Sequence, residues 1–122
     1  MNILIVDNCE SLRSYCSYIL TEKGHKVHQC ESSGFFKQFL NNGLDVDAIL
    51  VNVNPEDISL AEEVVYVSKS VNPDISIILI STKWNSKEIN DLLSMGCSLL
   101  FLPFNENDLI AKVECREDVS VT

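Results

Sequence analysis

Short apolar runs alternate with longer amphipathic segments along most of this chain. Four of the runs are continuous rather than alternating, which is typical of strands that are covered on both faces in a parallel sheet. A fifth and more polar segment, at 25–30, has Val27 as its only aliphatic residue and predicts an edge strand. The four continuous runs lie at residues 3–6, 48–51, 77–80 and 99–102.

The segments between these runs carry the apolar spacing of amphipathic helices. Segment 58–71 is ambiguous, because residues 64–67 have strand propensity. Its place between two apolar runs favours a helix, since parallel strands need a crossover connection. Asn105 is a suitable N-cap with Asp108 three residues later, and Gly96 is a suitable helix stop. We therefore expect helices at 10–23, 33–42, 58–71, 86–95 and 105–115.

Five consecutive strand–helix units predict a doubly wound α/β domain. The flavodoxin-like strand order 2-1-3-4-5, with helices on both faces, puts the polar second strand at an edge of a five-stranded parallel sheet. A chain of 122 residues has room for one such domain. We expect the domain to span 1–116, and 117–122 to form a C-terminal tail or the start of a linker.

Composition and charge exclude several classes of partner. The chain is 46% apolar and 22% charged, as in a domain with a real core, and its net charge is −9. Phosphate backbones and anionic lipids repel such a surface, so we expect no direct binding to nucleic acid or membranes. Residues 38–68 contain acids and no base. A solvated acidic face is favoured there over a site for a cation or a basic partner.

The 5 cysteines form no Cys-x-x-Cys pair, which favours reduced thiols in a cytoplasmic domain over a secreted disulfide framework. Cys9 and Cys16 stand two helical turns apart, which is too far for a disulfide. His28 and Cys30 share one face of the predicted edge strand, where ordinary strand polarity is favoured over a metal site. The N-terminus has no basic region, so no secretory signal is expected.

Open α/β sheets bind ligands at the carboxyl ends of their strands. In this chain Asp7 and Asn8 follow the first strand, Asn52 follows the third and Ser81 follows the fourth, while the fifth run ends at Leu102. We expect these positions to converge on one small crevice. The loop after the first strand has no glycine and two acids, which excludes a flavin-phosphate site of the flavodoxin type.

With these features the chain resembles the receiver domains of response regulators in two-component signalling. The resemblance covers about residues 2–115, and its motifs occur in the family's order at the expected strand ends. They are ILIVDN at 3–8, Arg13, GHKV at 24–27, DAILVN at 47–52, Pro55, ILIS at 78–81, MGC at 95–97 and LPF at 102–104.

The resemblance implies a role for each crevice position. In active receivers, two acidic residues after the first strand hold Mg²⁺ and an Asp after the third strand accepts a phosphoryl group. A Ser or Thr after the fourth strand and a Lys after the fifth contact that group. Here Asp7 and Ser81 match this pattern, whereas Asn8, Asn52 and Leu102 depart from it.

These departures predict a degenerate receiver, or pseudo-receiver, without a catalytic residue. The carboxamide of Asn52 is a very poor nucleophile. Mg²⁺ prefers anionic oxygens, which Asn8 and Asn52 lack, and Leu102 removes the cation that would stabilise a transferring group. We therefore expect no enzymatic activity, no cofactor, no metal, and weak or absent Mg²⁺ binding. Leu99 also stands where active receivers have a switching aromatic residue.

In the receiver family, the face formed by the fourth helix, fifth strand and fifth helix commonly mediates dimerisation or partner docking. This face corresponds to residues 86–115. We expect a cytoplasmic signalling domain that works without phosphorylation, through a homodimer or a protein partner, on an output domain or that partner. Trp84 fits a partly packed surface ring and a contact anchor equally well. The side chains expected on this face are Trp84, Lys87, Asp91, Leu99, Phe101, Phe104 and Asp108.

Two alternatives from other functional classes stay open. One is a phosphoaccepting receiver that uses a different acidic residue, such as Asp57 or Asp7. The other is a sensor of a small ligand or of thiol oxidation. Uptake of a phosphoryl group with Mg²⁺ would favour the first alternative. Ligand in the crevice, or oxidant-dependent oligomerisation lost on Cys→Ser substitution, would favour the second.

Overall fold

A computed structural model describes residues 1–31, 34, 36–38, 45–54, 58–82 and 86–114 of the chain. Five strands form one parallel sheet in the order β2-β1-β3-β4-β5, which confirms the predicted doubly wound topology. The strands are β1 (Asn2–Val6), β2 (Lys26–Cys30), β3 (Ala48–Asn52), β4 (Ser76–Ser81) and β5 (Ser98–Phe101).

Four of the predicted helices are described over most of their length. The predicted helix at 33–42 is described only at residues 34 and 36–38, which are helical, and the rest of it lies outside the described residues. Within the described ranges, no helix is both long and apolar enough to cross a membrane. The helices are α1 (Glu10–Glu22), α2 (Ser59–Val71), α3 (Lys87–Leu93) and α4 (Glu106–Glu114).

Local signals account for where the last two helices begin and end. The Ser86 side chain accepts a hydrogen bond from the Ile89 N–H at 3.1 Å and caps α3. Asn105 and Asp108 form a reciprocal capping box at the start of α4, with bonds of 2.8 and 3.1 Å. Gly96, after α3, has a φ of +95°, a conformation that glycine adopts without strain.

The ambiguous segment is a helix, as its place between β3 and β4 predicted. Ala61, Val64, Val65 and Ser68 are buried and follow helical spacing. The β-branched residues of this segment favour a strand, but burial of the apolar stripe stabilises the helix more strongly. In an extended chain the same residues would point to both sides instead of forming one buried stripe.

Two apolar clusters cover the two faces of the sheet. One packs β-strand residues against α2 and α3, and the other packs them against α1 and α4. Leu4 belongs to the first cluster and Ile5 to the second, because successive side chains of a strand point to opposite faces. Strands β1, β3 and β4 are therefore buried on both faces, which explains their continuous apolar runs.

The fifth run is covered less completely than the other three, although Leu99 packs on one apolar cluster and Leu100 belongs to the other. Leu100 is buried, Leu99 is half-buried and Phe101 is 45% exposed. The strand also ends at Phe101, so Leu102 lies beyond it. β5 is also the last strand of the sheet, and the described residues place no further strand along its outer edge.

Candidate functional site

The carboxyl ends of β1, β3 and β4 lie side by side at one edge of the sheet. Asp7 comes directly after β1, Asn52 is the last residue of β3 and Ser81 is the last of β4. Leu102, after β5, donates its backbone N–H to the Ser81 carbonyl at 2.9 Å. Parallel strands in adjacent register thus gather these positions into one crevice.

Asp7 is the only one of these crevice positions that carries a carboxylate, and its two oxygens are engaged within the chain. The side chain is almost fully buried, with 2% of the residue exposed. Its Oδ1 accepts a hydrogen bond from the Cys9 N–H at 2.8 Å. Its Oδ2 accepts one from the Asn52 side-chain nitrogen at 3.1 Å. The carboxamide of Asn52 therefore acts as a hydrogen-bond donor towards Asp7.

Burial dominates the titration of this carboxyl group. Desolvation raises the pKa of Asp7 above its usual value, although hydrogen bonds from Cys9 and Asn52 and the positive charge of Arg13 oppose the shift. The net result is a carboxylate whose ionised form is disfavoured by its surroundings. Such a group is less suited to hold a cation than a pair of solvated carboxylates would be.

Arg13 is a neighbour of the crevice to which the sequence pattern assigned no role. Its Nη1 donates to the backbone carbonyl of Asp7 at 2.7 Å, and its charge lowers the pKa of both Asp7 and Cys30. Side chains near the start of a helix lean back towards its N-terminus, but the sequence pattern does not show which group they meet there. Residue 13, in the first turns of α1, can therefore reach the end of β1.

The remaining crevice positions contribute little charge. Asn8 is exposed in the loop after β1, and Ser81 is buried at the end of β4. Leu102 is half-buried and packs on the apolar cluster between the sheet, α1 and α4. The position at which active receivers carry a lysine is thus used here for hydrophobic packing.

The side chains expected on the interaction face differ in how the structure places them. Leu99 and Phe101, two residues apart in a regular strand, point to the same side of β5. Phe104 instead packs against Tyr15 of α1, with ring centroids 6.0 Å apart. The Asp108 carboxylate is occupied by its capping bond to Asn105. Trp84 lies outside the described residues.

Lys87 and Asp91 form an exposed pair on α3, with a nitrogen–oxygen distance of 3.0 Å. The hydrogen bond from Lys87 to Asp91 raises the pKa of the lysine. Both side chains project into solvent, 84% and 60% exposed, so they remain available at the surface of this face.

Three of the thiols are poorly suited to redox sensing. Burial raises the pKa of Cys16 to about 12 and that of Cys30 to about 11, and it raises the pKa of Cys97 as well. These groups stay protonated at neutral pH, and the thiolate is the reactive form. Cys9 is exposed next to α1, and Cys115 lies outside the described residues.

Histidine at the other end of the sheet is used in a structural contact. The His25 Nε2 lies 2.6 Å from a carboxylate oxygen of Glu114, so the contact joins the start of β2 to the end of α4. In the part of the chain that the structure describes, no three His, Cys, Asp or Glu side chains are grouped closely enough to hold a metal ion.

Comparison with known proteins finds the same fold in solved structures. No protein-family model matches the chain, and no curated protein matches it. A CheY-like receiver domain protein from Methanospirillum hungatei JF-1 is 21% identical, with a TM-score of 0.83, over 98% of this chain and 95% of that one.

Two further solved structures have the same fold. The chemotaxis protein CheY4 of Vibrio cholerae is 20% identical with a TM-score of 0.79, over 93% of this chain and 96% of that one. A BeF3-activated DrrB receiver domain is 20% identical with a TM-score of 0.77, over 96% and 97%. The chain therefore has the fold of CheY-like response-regulator receiver domains.

Proposed function

We propose that this chain is a signalling domain of the two-component type that has lost the phosphoryl-accepting chemistry of active receivers and acts through protein–protein contact. The observation that carries the proposal is the hydrogen bond from Asn52 to Asp7. It turns the phosphoacceptor position into a donor that satisfies the remaining carboxylate.

Phosphoryl transfer to the crevice would need a nucleophile that Asn52 does not supply. An ionised carboxylate can attack phosphorus and form an acyl phosphate, whereas the amide nitrogen is a very poor nucleophile. Asp7 is no substitute, because both of its oxygens accept hydrogen bonds and the residue is only 2% exposed.

The residues of the crevice do not fit Mg²⁺. This ion is bound by near-octahedral oxygen ligands and keeps several waters, usually with one or two carboxylates. Here Asp7 is the sole carboxylate among the crevice positions, and desolvation raises its pKa. Asn8 and Asn52 supply amides in place of anionic oxygens. No step of the proposed function passes through a metal.

The missing cation supports the same conclusion. A lysine beside the transferring group stabilises the charge that develops on it. Leu102 instead packs on the apolar cluster under α1 and α4, so its side chain contributes to the core. Loss of the negative and the positive partners together keeps the crevice close to neutral.

The output surface we propose is the face of α3, β5 and α4. Phe101 is 45% exposed there and Leu99 is half-buried beside it, while Lys87 and Asp91 are in solvent. Aromatic residues are enriched at protein–protein interfaces. We propose that a protein partner or a second copy binds this face in the cytoplasm, without nucleic acid or membrane.

The test compares the wild-type chain with a positive control that restores the missing groups. The control is the triple variant Asn8→Asp, Asn52→Asp, Leu102→Lys. Both proteins are given Mg²⁺ with beryllofluoride or acetyl phosphate and followed by amide NMR at residues 52 and 81 and by intact-mass spectrometry.

We expect no saturable shift and no mass gain in the wild type, and a response in the triple variant. One phosphoryl group gained stoichiometrically by the wild type would overturn the proposal. Mapping such a group to Asp57, which lies outside the described residues, or to Asp7 would support the alternative of a phosphoacceptor at another acid.

A further inference from the structure

A groove of about 460 Å³ runs beside the last strand of the sheet. Leu99 packs on the cluster shared with α2 and α3, whereas Leu100 belongs to the cluster shared with α1 and α4. Successive strand residues point to opposite faces, so a groove that both of them line must follow the edge of β5. Its lining residues are Leu99, Leu100, Phe101, Pro103, Asp108, Ala111 and Lys112.

The backbone along this edge has partners on one side. Strand β4 pairs with β5 from Ser98 to Phe101, and within the described residues no strand lies on the outer side. An edge strand presents N–H and C=O groups that can pair with a further extended chain. The groove along this edge is lined by residues of β5 and of α4.

The walls of the groove are apolar on the strand side and mixed on the helix side. Phe101 is 45% exposed, and Ala111 leaves space beside it on the exposed surface of α4. Asp108 and Lys112 stand on either side of Ala111, one helical turn apart. The shape suits alternating small apolar side chains on a segment that lies along β5.

We infer that an extended segment of a partner protein binds here as a sixth strand, paired with β5 and carrying basic residues between its apolar ones. The inference rests on the proposed function, because it names the mode of contact on the proposed output face. Charge complementarity selects the partner: this chain carries a net charge of −9. That charge attracts a basic segment and repels a second copy of the chain.

The test uses a blocked seven-residue peptide of alternating valine and lysine and two matched probes. One probe has the same sequence with alternate backbone nitrogens methylated, which removes the donors that a new ladder needs. The other replaces each lysine with glutamate. Binding is measured by ¹⁵N NMR titration, together with hydrogen exchange of the β5 amides.

We expect saturable shifts at residues 98–101 and 108–112 with the lysine peptide, and slower exchange of the outward-facing β5 amides. The methylated peptide should bind at least about tenfold more weakly, a loss of about 1.4 kcal/mol. The glutamate peptide should show no saturable shift.

A variant pair separates the groove from general charge effects. Ala111→Arg fills the groove, and Ser14→Arg adds the same charge at an exposed position on α1. We expect Ala111→Arg to weaken the lysine peptide at least about tenfold, and Ser14→Arg to leave it within about twofold.

Equal binding of the methylated and unmethylated peptides, or shifts elsewhere on the surface, would overturn strand addition while leaving the proposed function standing. Self-association of the wild-type chain that Ala111→Arg abolishes would overturn the choice of a basic partner in favour of a second copy. Phosphoryl uptake by the wild type, by contrast, would overturn the proposed function and would not test strand addition at β5.

Discussion

The crevice at the carboxyl ends of the strands and the outer edge of β5 are both polar features, but they differ in how their groups are satisfied. In the crevice, Asp7 accepts hydrogen bonds from Cys9 and Asn52. At the edge, the described residues provide no strand for the outer side of β5. A site that is satisfied internally has little to offer a ligand, whereas an unsatisfied edge has directional groups for a partner.

The comparison also concerns charge. Beside Asp7, the crevice has Asn8, Asn52 and Leu102 at positions where the resemblance implies two further acids and a lysine in active receivers. Leu102 packs on an apolar cluster. The edge keeps an exposed aromatic residue, Phe101, beside charged side chains of α4. The proposed function follows this difference: it assigns the protein contact to the surface and no phosphoryl chemistry to the crevice.

The largest expected effect is the recovery of phosphoryl uptake in the triple variant Asn8→Asp, Asn52→Asp, Leu102→Lys. The wild type should gain none and the variant should gain one phosphoryl group, because the variant supplies a nucleophile, metal ligands and a cation. Intact-mass spectrometry after incubation with acetyl phosphate and Mg²⁺ measures the difference. The single variant Leu102→Lys is the control, and uptake by it would show that Asn52 is not the deciding residue.

The next largest effect distinguishes the centre of the sheet from its edge. Ile80 in β4 is 1% exposed, so Ile80→Ala should lower the free energy of unfolding by about 2–5 kcal/mol. Phe101→Ala at the exposed edge should change it by less than about 1 kcal/mol, the size typical of surface substitutions. Urea denaturation measures both values. A Phe101 variant as damaged as the Ile80 variant would contradict the description of β5 as an open edge.

Removal of the α4 cap should have a moderate effect. Asn105→Ala leaves the Asp108 N–H without its side-chain acceptor, and we expect a loss of about 0.5–2 kcal/mol in the free energy of unfolding. Asn90→Ala, at an exposed position inside α3, is the matched control and should have almost no effect. Thermal unfolding of the two variants checks this. Equal stability of both would mean that the capping box does not hold the helix side of the groove.

A smaller effect, of opposite sign, is expected from the buried carboxylate. The native pKa of Asp7 is raised, so the native state binds more protons than the unfolded chain between the two pKa values. Stability is therefore lost as the pH rises through that window. Asp7→Asn removes the ionisable group and with it this pH-dependent loss of stability. The substitution should raise the free energy of unfolding at pH 7 by on the order of 1 kcal/mol.

The gain from Asp7→Asn should shrink as the pH falls through the raised pKa of Asp7, because protonation then neutralises the wild-type carboxyl group. Denaturant curves over a pH series measure it. The same change at exposed Asp74 serves as the control and should give no gain at any pH of the series. A variant that is less stable than wild type at pH 7 would show that the hydrogen bonds to Asp7 outweigh its desolvation.

Much of the fold could be predicted from the residue pattern. Continuous apolar runs mark β1, β3 and β4 because both faces of these strands are buried. The ends of α3 and α4 follow from the side chains of Ser86 and Asn105, which act within one turn of the chain. At β5 the pattern did not reveal that Phe101 is 45% exposed, because an apolar run has the same composition whether or not every side chain in it is covered.

The composition of the crevice could be predicted only in part from the sequence. Strand ends identified Asp7, Asn52 and Ser81, since their position depends on where each apolar run stops. The roles of two neighbours needed the folded structure. Arg13 returns from α1 to the Asp7 carbonyl, and Phe104 packs on Tyr15 rather than joining Phe101 on the output face.

The amino-acid sequence by itself determined the order of strands and helices along the chain and the uncharged residue types Asn8, Asn52 and Leu102 at the strand ends, because side-chain chemistry and local periodicity are properties of the chain alone. The tertiary structure alone decided that Asn52 donates to Asp7 and that, among the described residues, a groove rather than a strand lies beside the far edge of β5. Both depend on distances between residues that are remote in the chain. Burial and hydrogen-bond partners are set by those distances.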